Sequence, residues 1–345
     1  MLGLPAYRSE DVIRTTIDSL LAQDFTDFAI VVADDHSPDR TFEAAEELAH
    51  TDARVTVVQN PQRRGMWGNY NGVFEHACAL YPDHELFAWA SDNDLRHRAW
   101  LSTLVRALDE QPQAVLAYGW DPSHGDTVEV PGDSRGVADP LRRFRIALER
   151  VPAAILIFGL QRREALERIG GIPPTLVPDS LYLAELSLHG TFVGVRKARW
   201  RRGARKTGGS RRKQRRAVFA GRSPLLSYAP VGVQHLARLF RVLVLGNRER
   251  AGVSRVDGMK AVVLYAVARS RRVGTKLRGQ WARSIRRRRQ ELRTDLRSAR
   301  KRSRFRRKRL RNRLARRFES SPLVRNALRG SLAAPRKERA GEARR

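Results

Sequence analysis

The chain has 345 residues, 41% of them apolar, enough to build one large α/β domain with something smaller beside it and to exclude wholesale disorder. Its formal charge of +31 is unevenly placed: residues 1–195 hold 17 Lys/Arg against 29 Asp/Glu, residues 196–216 hold 12 basic and no acidic residues, and residues 271–345 hold 30 basic against 5 acidic. Cys78 is the only cysteine, which excludes an internal disulfide or a cysteine-built zinc site, and the longest apolar stretches, Ala153–Leu160 and Met259–Ala268, fall well short of the ~20 residues of a spanning helix.

The predicted elements alternate from the start of the chain. A short strand runs into Leu4-Pro5-Ala6-Tyr7, and Ser9 reads as the N-cap of a helix carried by Val12, Ile13, Ile17, Leu20 and Leu21 at helical spacing. Phe28–Ala33 is a continuous apolar, β-branched run, the pattern of a strand covered on both faces. Ser37-Pro38-Asp39 predicts a helix start with proline at the first position, followed by Phe42, Ala45 and Leu48.

Val55–Val58 is a second strand, Trp67–Leu80 an amphipathic helix, Leu86–Ala90 a third strand, Trp100–Leu108 a helix and Ala114–Tyr118 a further strand. Residues 121–140 read as a loop, and Gln161–Ile169 and Asp179–Leu188 as helices closed by Gly170-Gly171 and Gly190. Strands alternating with helices predict a mostly parallel sheet with helices on both faces. Glu185 is expected to be a solvated or hinge-side carboxylate.

Arg196–Arg216 has no apolar periodicity and reads as a Gly/Arg/Lys linker. Residues 224–270 predict two or three modest helices. From 271 the chain is Arg-rich, with Val273, Leu277, Trp281 and Ile285 three to four residues apart, the stripe of a basic amphipathic helix. The expected division is a domain over 1–200, a basic linker over 201–222, a small helical segment over 223–270 and an Arg-rich helical or partly disordered tail over 271–345.

Three loops fall at the ends of successive predicted strands, where open parallel sheets bind ligands. They are Pro5-Ala6-Tyr7, Asp34-Asp35-His36-Ser37-Pro38-Asp39 and Ser91-Asp92-Asn93-Asp94. Together with Gln23, Thr41, Asn60, Gly65 and Asn69, and with Phe158-Gly159-Leu160 and Asp179–Leu186 further on, this set resembles the family 2 glycosyltransferases over about residues 1–200. The resemblance implies a GT-A type fold, a Rossmann-like sheet flanked by helices, followed here by a basic C-terminal extension.

It implies a nucleotide-diphosphate sugar as donor and a sugar or lipid-linked hydroxyl as acceptor. It also implies inversion, in cell-envelope polysaccharide or glycolipid synthesis; because Arg196-Lys197-Ala198-Arg199-Trp200 lacks the glutamine of the processive synthases' Gln-x-x-Arg-Trp, transfer of a single sugar is expected. Asp35 is implied to bond the nucleotide base, with Asp34 supporting its loop and Pro5, Ala6 and Tyr7 against the nucleoside. Asn69 and Asp92 complete the donor site. Asp92 and Asp94 are implied to hold a divalent metal, Mn2+ or Mg2+, a Lewis acid at the leaving diphosphate. A gapless alignment to the family's Asp-x-Asp-Asp puts Asn93 at a metal position instead. Asp179 is the candidate base for the acceptor hydroxyl, with helix capping as its other reading.

Two other functions compete with this one. A sugar nucleotidyltransferase needs a Gly-rich N-terminal loop, which Pro5-Ala6-Tyr7-Arg8 does not supply. A non-catalytic relative would keep only the basic tail as its working part. The tail fits an anionic membrane surface better than nucleic acid, because Trp281, Phe305 and Phe318 are its only aromatics, with a merely solvated tail as its other reading. With no leader segment and one cysteine, the expected location is cytoplasmic, peripheral on the inner face of the plasma membrane.

Overall fold

Pro5 explains how the sheet opens. The computed structural model describes residues 1–120, 131–150, 156–201, 203 and 229–270. In it, strand β1 (Leu2–Ala6) pairs in parallel with β2 (Ile30–Asp34) along its whole length, but with β4 (Leu86–Trp89) only at Leu2 and Gly3. The alternation of hydrogen bonds turns Leu2 towards β2, where its N–H reaches Ala29 O at 2.8 Å, and odd residues towards β4, where Gly3 O accepts from Ala90 N at 2.8 Å. Pro5 therefore puts its missing N–H on the β4 side, past the last paired residue, where no ladder bond is lost.

Beyond β2 lies β3 (Val55–Gln59), again parallel. The other flank adds β7 (Leu160–Arg162), β6 (Ala114–Trp120), β8 (Thr191–Arg201) and the two-residue β5 (Leu95–Arg96), giving the order β3-β2-β1-β4-β7-β6-β8-β5. β7 runs antiparallel to both neighbours, and β5 antiparallel to β8. The order runs leftward from β1 through β2 to β3 and then resumes on the right at β4. Between β1 and β4 lies the switch point at which such sheets bind ligands.

Helices α1 (Ile13–Leu21), α2 (Thr41–Ala49), α3 (Gly65–Leu80) and α4 (Trp100–Asp109) follow β1, β2, β3 and β5. They bury Ile17, Leu20, Ala45, Val73 and Leu104 against the sheet, which is why β2 is buried at every position and carries an unbroken apolar run. A second apolar cluster joins Phe144 of α5 (Pro140–Arg150) to Leu181 and Ala184 of α7 (Pro178–Ser187). It also takes in Leu239 and Val242 of α8 (Val231–Leu243). The cluster reaches Ala251 of the short α9 (Arg248–Ala251) and Tyr265 of α10, which spans 255–270. Residues Met1–Arg271 make one compact unit.

Several sequence expectations need correction. α1 begins at Ile13, not beside Ser9: the Ser9 hydroxyl donates to Asp92 Oδ2, leaving its carbonyl to accept from Val12 and Ile13. α2 begins at Thr41, because Asp39 accepts from the Thr41 N–H and hydroxyl and closes a turn there. Gln161 lies on β7, and only Arg163–Ile169 is helical, as α6.

Arg196–Arg201 is not linker: it ends the eleven-residue β8, whose Ala198 and Trp200 are buried while the basic side chains between them face outward. Glu185 is not solvated, being buried against Arg238. Of the expected linker 201–222 only Arg201 and Gly203 are among the described residues. Residues 121–130 of the expected loop 121–140, and the tail 271–345 with the expected stripe from Val273 to Ile285, lie outside them. Among the described residues no helix is long and apolar enough to cross a membrane.

Candidate active site

The three strand-end loops meet at the switch point, each fixed by side-chain hydrogen bonds. Asp34, fully buried at the end of β2, accepts from the Ser37 N–H at 3.0 Å, from the Ser37 hydroxyl and from Gln59 Nε2 at 3.3 Å. These bonds fold residues 34–37 back on themselves and hold His36 left-handed at φ 55°. Asp35 accepts from the Arg64 N–H at 2.7 Å and the Gly65 N–H at 2.9 Å, satisfying the exposed first turn of α3. Burial pushes the Asp35 carboxyl above its ordinary value, opposed by these bonds, by Asn60 and by Arg63.

Asn69 ties the two strand ends together. Its amide donates to Ala33 O at 2.8 Å and Ala6 O at 3.3 Å, and its carbonyl accepts from Asn60 Nδ2 at 2.9 Å. Pro5 and Ala6 are buried in β1, whereas the Tyr7 ring is half-buried beneath two cations, Arg63 at 4.1 Å and Arg8 at 5.5 Å from its centroid. Arg63 also lies 3.8 Å from Asp35. Arg63 thus links the aromatic ring of Tyr7 to the buried carboxylate of Asp35 at the ends of β1 and β2.

On the β4 side, Asp92 Oδ2 accepts from the Ser9 hydroxyl and its backbone carbonyl accepts from Thr16 Oγ1 at 3.0 Å, locking this loop to α1. Asn93 Oδ1 accepts from the Ser91 hydroxyl at 2.7 Å. Asp94 is buried; its Oδ1 accepts from the Gly203 N–H at 3.0 Å, and its Oδ2 is 3.8 Å from Arg96 Nη1. Arg96 is 1% exposed in its side chain and lies between the rings of Trp100 and Trp200, 5.0 and 4.9 Å from their centroids. Burial lowers the Arg96 guanidinium to about 10, countered by Asp94, so the cation persists at neutral pH.

Two carboxylates at a strand end are the hard oxygen donors that Mg2+ or Mn2+ takes. Among the described residues no three His, Cys, Asp or Glu side chains converge as a protein-only cage. Asp92 and Asp94 could supply two such ligands, Asp92 more readily than Asp94, whose carboxylate already faces a buried guanidinium.

Asp179 stands at the second position of α7, half-buried, after Pro178 at the first. The cap position itself is Val177, so Asp179 is not the N-cap residue. Asp179 shares one neighbour, Tyr70 of α3, with Asp92 and Asp94. Burial, and after it the charges of Asp92, Asp179 and Asp94, push the Tyr70 phenol well above its ordinary value. Tyr70 is placed by Trp89, whose Nε1–H donates to Tyr70 O at 2.9 Å and whose ring meets Tyr182 of α7 edge-on at 5.7 Å.

Among the described residues, Arg8, His36 and Val177 are the only non-glycine residues with positive φ, at 54°, 55° and 54°. They sit beside Tyr7, Asp35 and Asp179. Such strain persists only where the surroundings enforce it, and it gathers at ligand sites.

Residues 2–170 match the family described as Glycosyl transferase family 2. These residues are a family 2 glycosyltransferase domain. The chain is 44% identical over 55 residues to the uncharacterized glycosyltransferase EpsJ of Bacillus subtilis, covering 16% of each chain. It is 29% identical over 108 residues to the GalNAc(5)-diNAcBac-PP-undecaprenol beta-1,3-glucosyltransferase of Campylobacter jejuni, 31% of this chain and 33% of that one. A third relative, the UDP-Glc:alpha-D-GlcNAc-diphosphoundecaprenol beta-1,3-glucosyltransferase WfgD of Escherichia coli, is 28% identical over 78 residues, 23% of this chain and 30% of that one.

The alignments therefore span a third or less of these relatives' own lengths. In fold, the chain is similar to S. aureus TarS residues 1–349 in complex with UDP-GlcNAc. The TM-score is 0.54 at 16% identity, over 77% of this chain and 71% of that one. The glycosyltransferase domain thus has the GT-A fold expected from its strand-end loops.

Tyr70, Arg63 and Arg96 are the site residues that sequence reasoning missed. Tyr70 reads as one more aromatic on an amphipathic helix, and Arg96 in Leu95-Arg96-His97-Arg98 as a solvated charge.

Proposed function

We propose that the chain transfers one sugar from a nucleotide-diphosphate sugar to the hydroxyl of a lipid-linked glycan acceptor, with inversion at the anomeric carbon. The observation that carries this reading is the convergence of the β1, β2 and β4 end loops on one switch point, with Asp179 in the first turn of α7 sharing its neighbour Tyr70 with Asp92 and Asp94. The undecaprenol-linked substrates in the names of two relatives support the acceptor class and a place in envelope glycan assembly.

In this reading the nucleoside lies against Pro5, Ala6 and Tyr7 and meets Asp35, with Asp34 and Asn69 holding the two strand ends that frame it. Asp92 and Asp94 would hold Mn2+ or Mg2+, which supplies charge neutralisation at the departing diphosphate. Asp179 takes the proton from the acceptor hydroxyl as its oxygen attacks the anomeric carbon on the face opposite the diphosphate. The tail 271–345 would hold the enzyme at an anionic inner-membrane surface, near such an acceptor.

The deciding experiment is a screen of purified full-length protein against UDP-, GDP- and dTDP-sugars, with Mn2+ or Mg2+ and with chelator, reading nucleotide release and transfer to a synthetic lipid-diphosphate sugar. Metal-stimulated release from one donor class with acceptor-dependent turnover is expected. No binding or turnover of any donor would sink the proposal.

A further inference from the structure

The loop between α6 and α7 delivers Asp179 through an unfavourable backbone. Val177 is β-branched, precedes a proline and yet adopts φ 54°, ψ 54°. Both features disfavour this conformation: the branched side chain crowds the carbonyl in the left-handed region, and a residue before proline prefers extended backbone. Its side chain is 58% exposed, so packing does not hold it there.

Hydrogen bonds hold the segment from two sides. Asn71 of α3 bonds both backbone groups of Ile172, accepting from its N–H at 2.8 Å and donating to its carbonyl at 3.0 Å. From the C-terminal helices, Gln234 Oε1 accepts from the Leu176 N–H at 3.1 Å, and His235 Nε2 lies 2.7 Å from the Leu176 carbonyl. Gln234 is itself oriented by donating to Ala229 O at 2.8 Å. Arg238 adds a bond to Ile169 O at 3.1 Å while paired with Glu185 of α7.

The His235 tautomer follows from its partners. A carbonyl can only accept, so Nε2 carries the hydrogen, and Nδ1 then accepts from the Tyr265 hydroxyl of α10. Burial, with the nearby Arg269 charge, lowers this imidazole to about 4. The ring therefore stays neutral near pH 7.

We infer that His235, with Gln234, is a positioning residue for the proposed base: by holding Leu176 at both its amide and its carbonyl, it keeps Val177 left-handed and Asp179 presented to the crevice. This rests on the reading of Asp179 given above. Helices α8 and α10, outside the residues that match the glycosyltransferase family, are thereby part of the catalytic apparatus rather than an appendage.

Three variants of the full chain test it: H235L, which cannot donate to Leu176; H235Q, whose amide nitrogen can stand where Nε2 stands; and V177G/H235L. A left-handed β-branched residue is costly enough that its release depopulates the presented state about 5- to 30-fold, whereas glycine holds that conformation without penalty. H235L should lose transfer from UDP-glucose or UDP-GlcNAc by that factor in kcat, with the calorimetric Kd for UDP within twofold of wild type. Its hydrogen exchange should rise in the peptide 170–180 and not across the β1–β3 core. H235Q should recover most of the rate and protection, and V177G/H235L should recover rate relative to H235L.

Wild-type turnover by H235L, a parallel loss of UDP binding, or no benefit from V177G would overturn the inference. If wild-type protein transfers no sugar, the functional reading fails, and exchange still decides the clamp. A rise at 170–180 in H235L but not H235Q supports it, and unchanged exchange refutes it.

Discussion

The Arg238–Glu185 pair offers a measurement of how α8 is bonded to α7. Arg238 of α8 donates through Nε at 3.0 Å and Nη2 at 2.9 Å to the two oxygens of Glu185 on α7, with side chains only 8% and 2% exposed. In the variant Arg238→Met the methylene volume is kept and the charge removed, which strands a carboxylate that water cannot reach. Losing one partner of such a pair costs about 3–5 kcal/mol, because the remaining ion keeps its desolvation penalty without its Coulombic return. For a unit of this size each kcal/mol moves Tm by roughly 2–4 °C, so a drop of about 6–20 °C is expected.

Glu185→Leu should cost a similar amount by stranding the guanidinium. The double variant, with both charges gone and the volume nearly kept, should lie closer to wild type than either single variant, a coupling of at least about 1 kcal/mol. Urea unfolding followed by circular dichroism measures all four corners of the cycle. A single-variant loss below about 1 kcal/mol, or strictly additive losses, would show that the pair is solvated and that the burial argument is wrong.

His235 makes a pH prediction. Its folded value, about 4, lies below the ordinary 6.5, so the unfolded chain binds the proton first. The stability that depends on the neutral ring is fully present above about pH 6.5 and is lost between there and pH 4, to the extent of about 3 kcal/mol. H235Q should remove that portion of the pH profile; identical wild-type and variant profiles from pH 7 to 4 would contradict it. Asp179→Asn should retain donor binding and Tm but lose transfer by ~10²-fold or more, and near-normal transfer would leave Asp179 without a role as base. Asp35→Ala should lower donor affinity and also cost about 1 kcal/mol of stability, because Arg64 and Gly65 lose their acceptor at the start of α3; a variant with wild-type Tm would show that other groups satisfy that helix end.

The strand-end carboxylates could be read from the chain because their signals are local. An apolar run such as Ile30–Ala33 states its own burial, and a Pro, Asp or Asn just after it marks where the strand stops. The register of hydrophobic positions likewise placed α3, α4 and α7 to within a residue or two. What failed were the readings of Ser9 and Glu185, polar side chains whose partners lie far along the sequence. Ser9 reads as a helix cap until Asp92, 83 residues on, takes its hydroxyl, and Glu185 reads as solvated until Arg238 arrives from 53 residues away.

Arg196–Arg201 reads as linker because its charges mask a period-two pattern, in which only Ala198 and Trp200 turn inward once β6 lies alongside. A charged side chain carries no local sign of whether it will meet water or a partner, since the free energy of burying it depends on the group opposite. The amino-acid order alone determined the layered α/β fold and which loops bear acids at the sheet's edge. Only the folded chain decided which of those acids are spent on bracing the strand-end loops and which helices bond the segment that leads into Asp179, because those outcomes rest on contacts between residues that no local pattern connects.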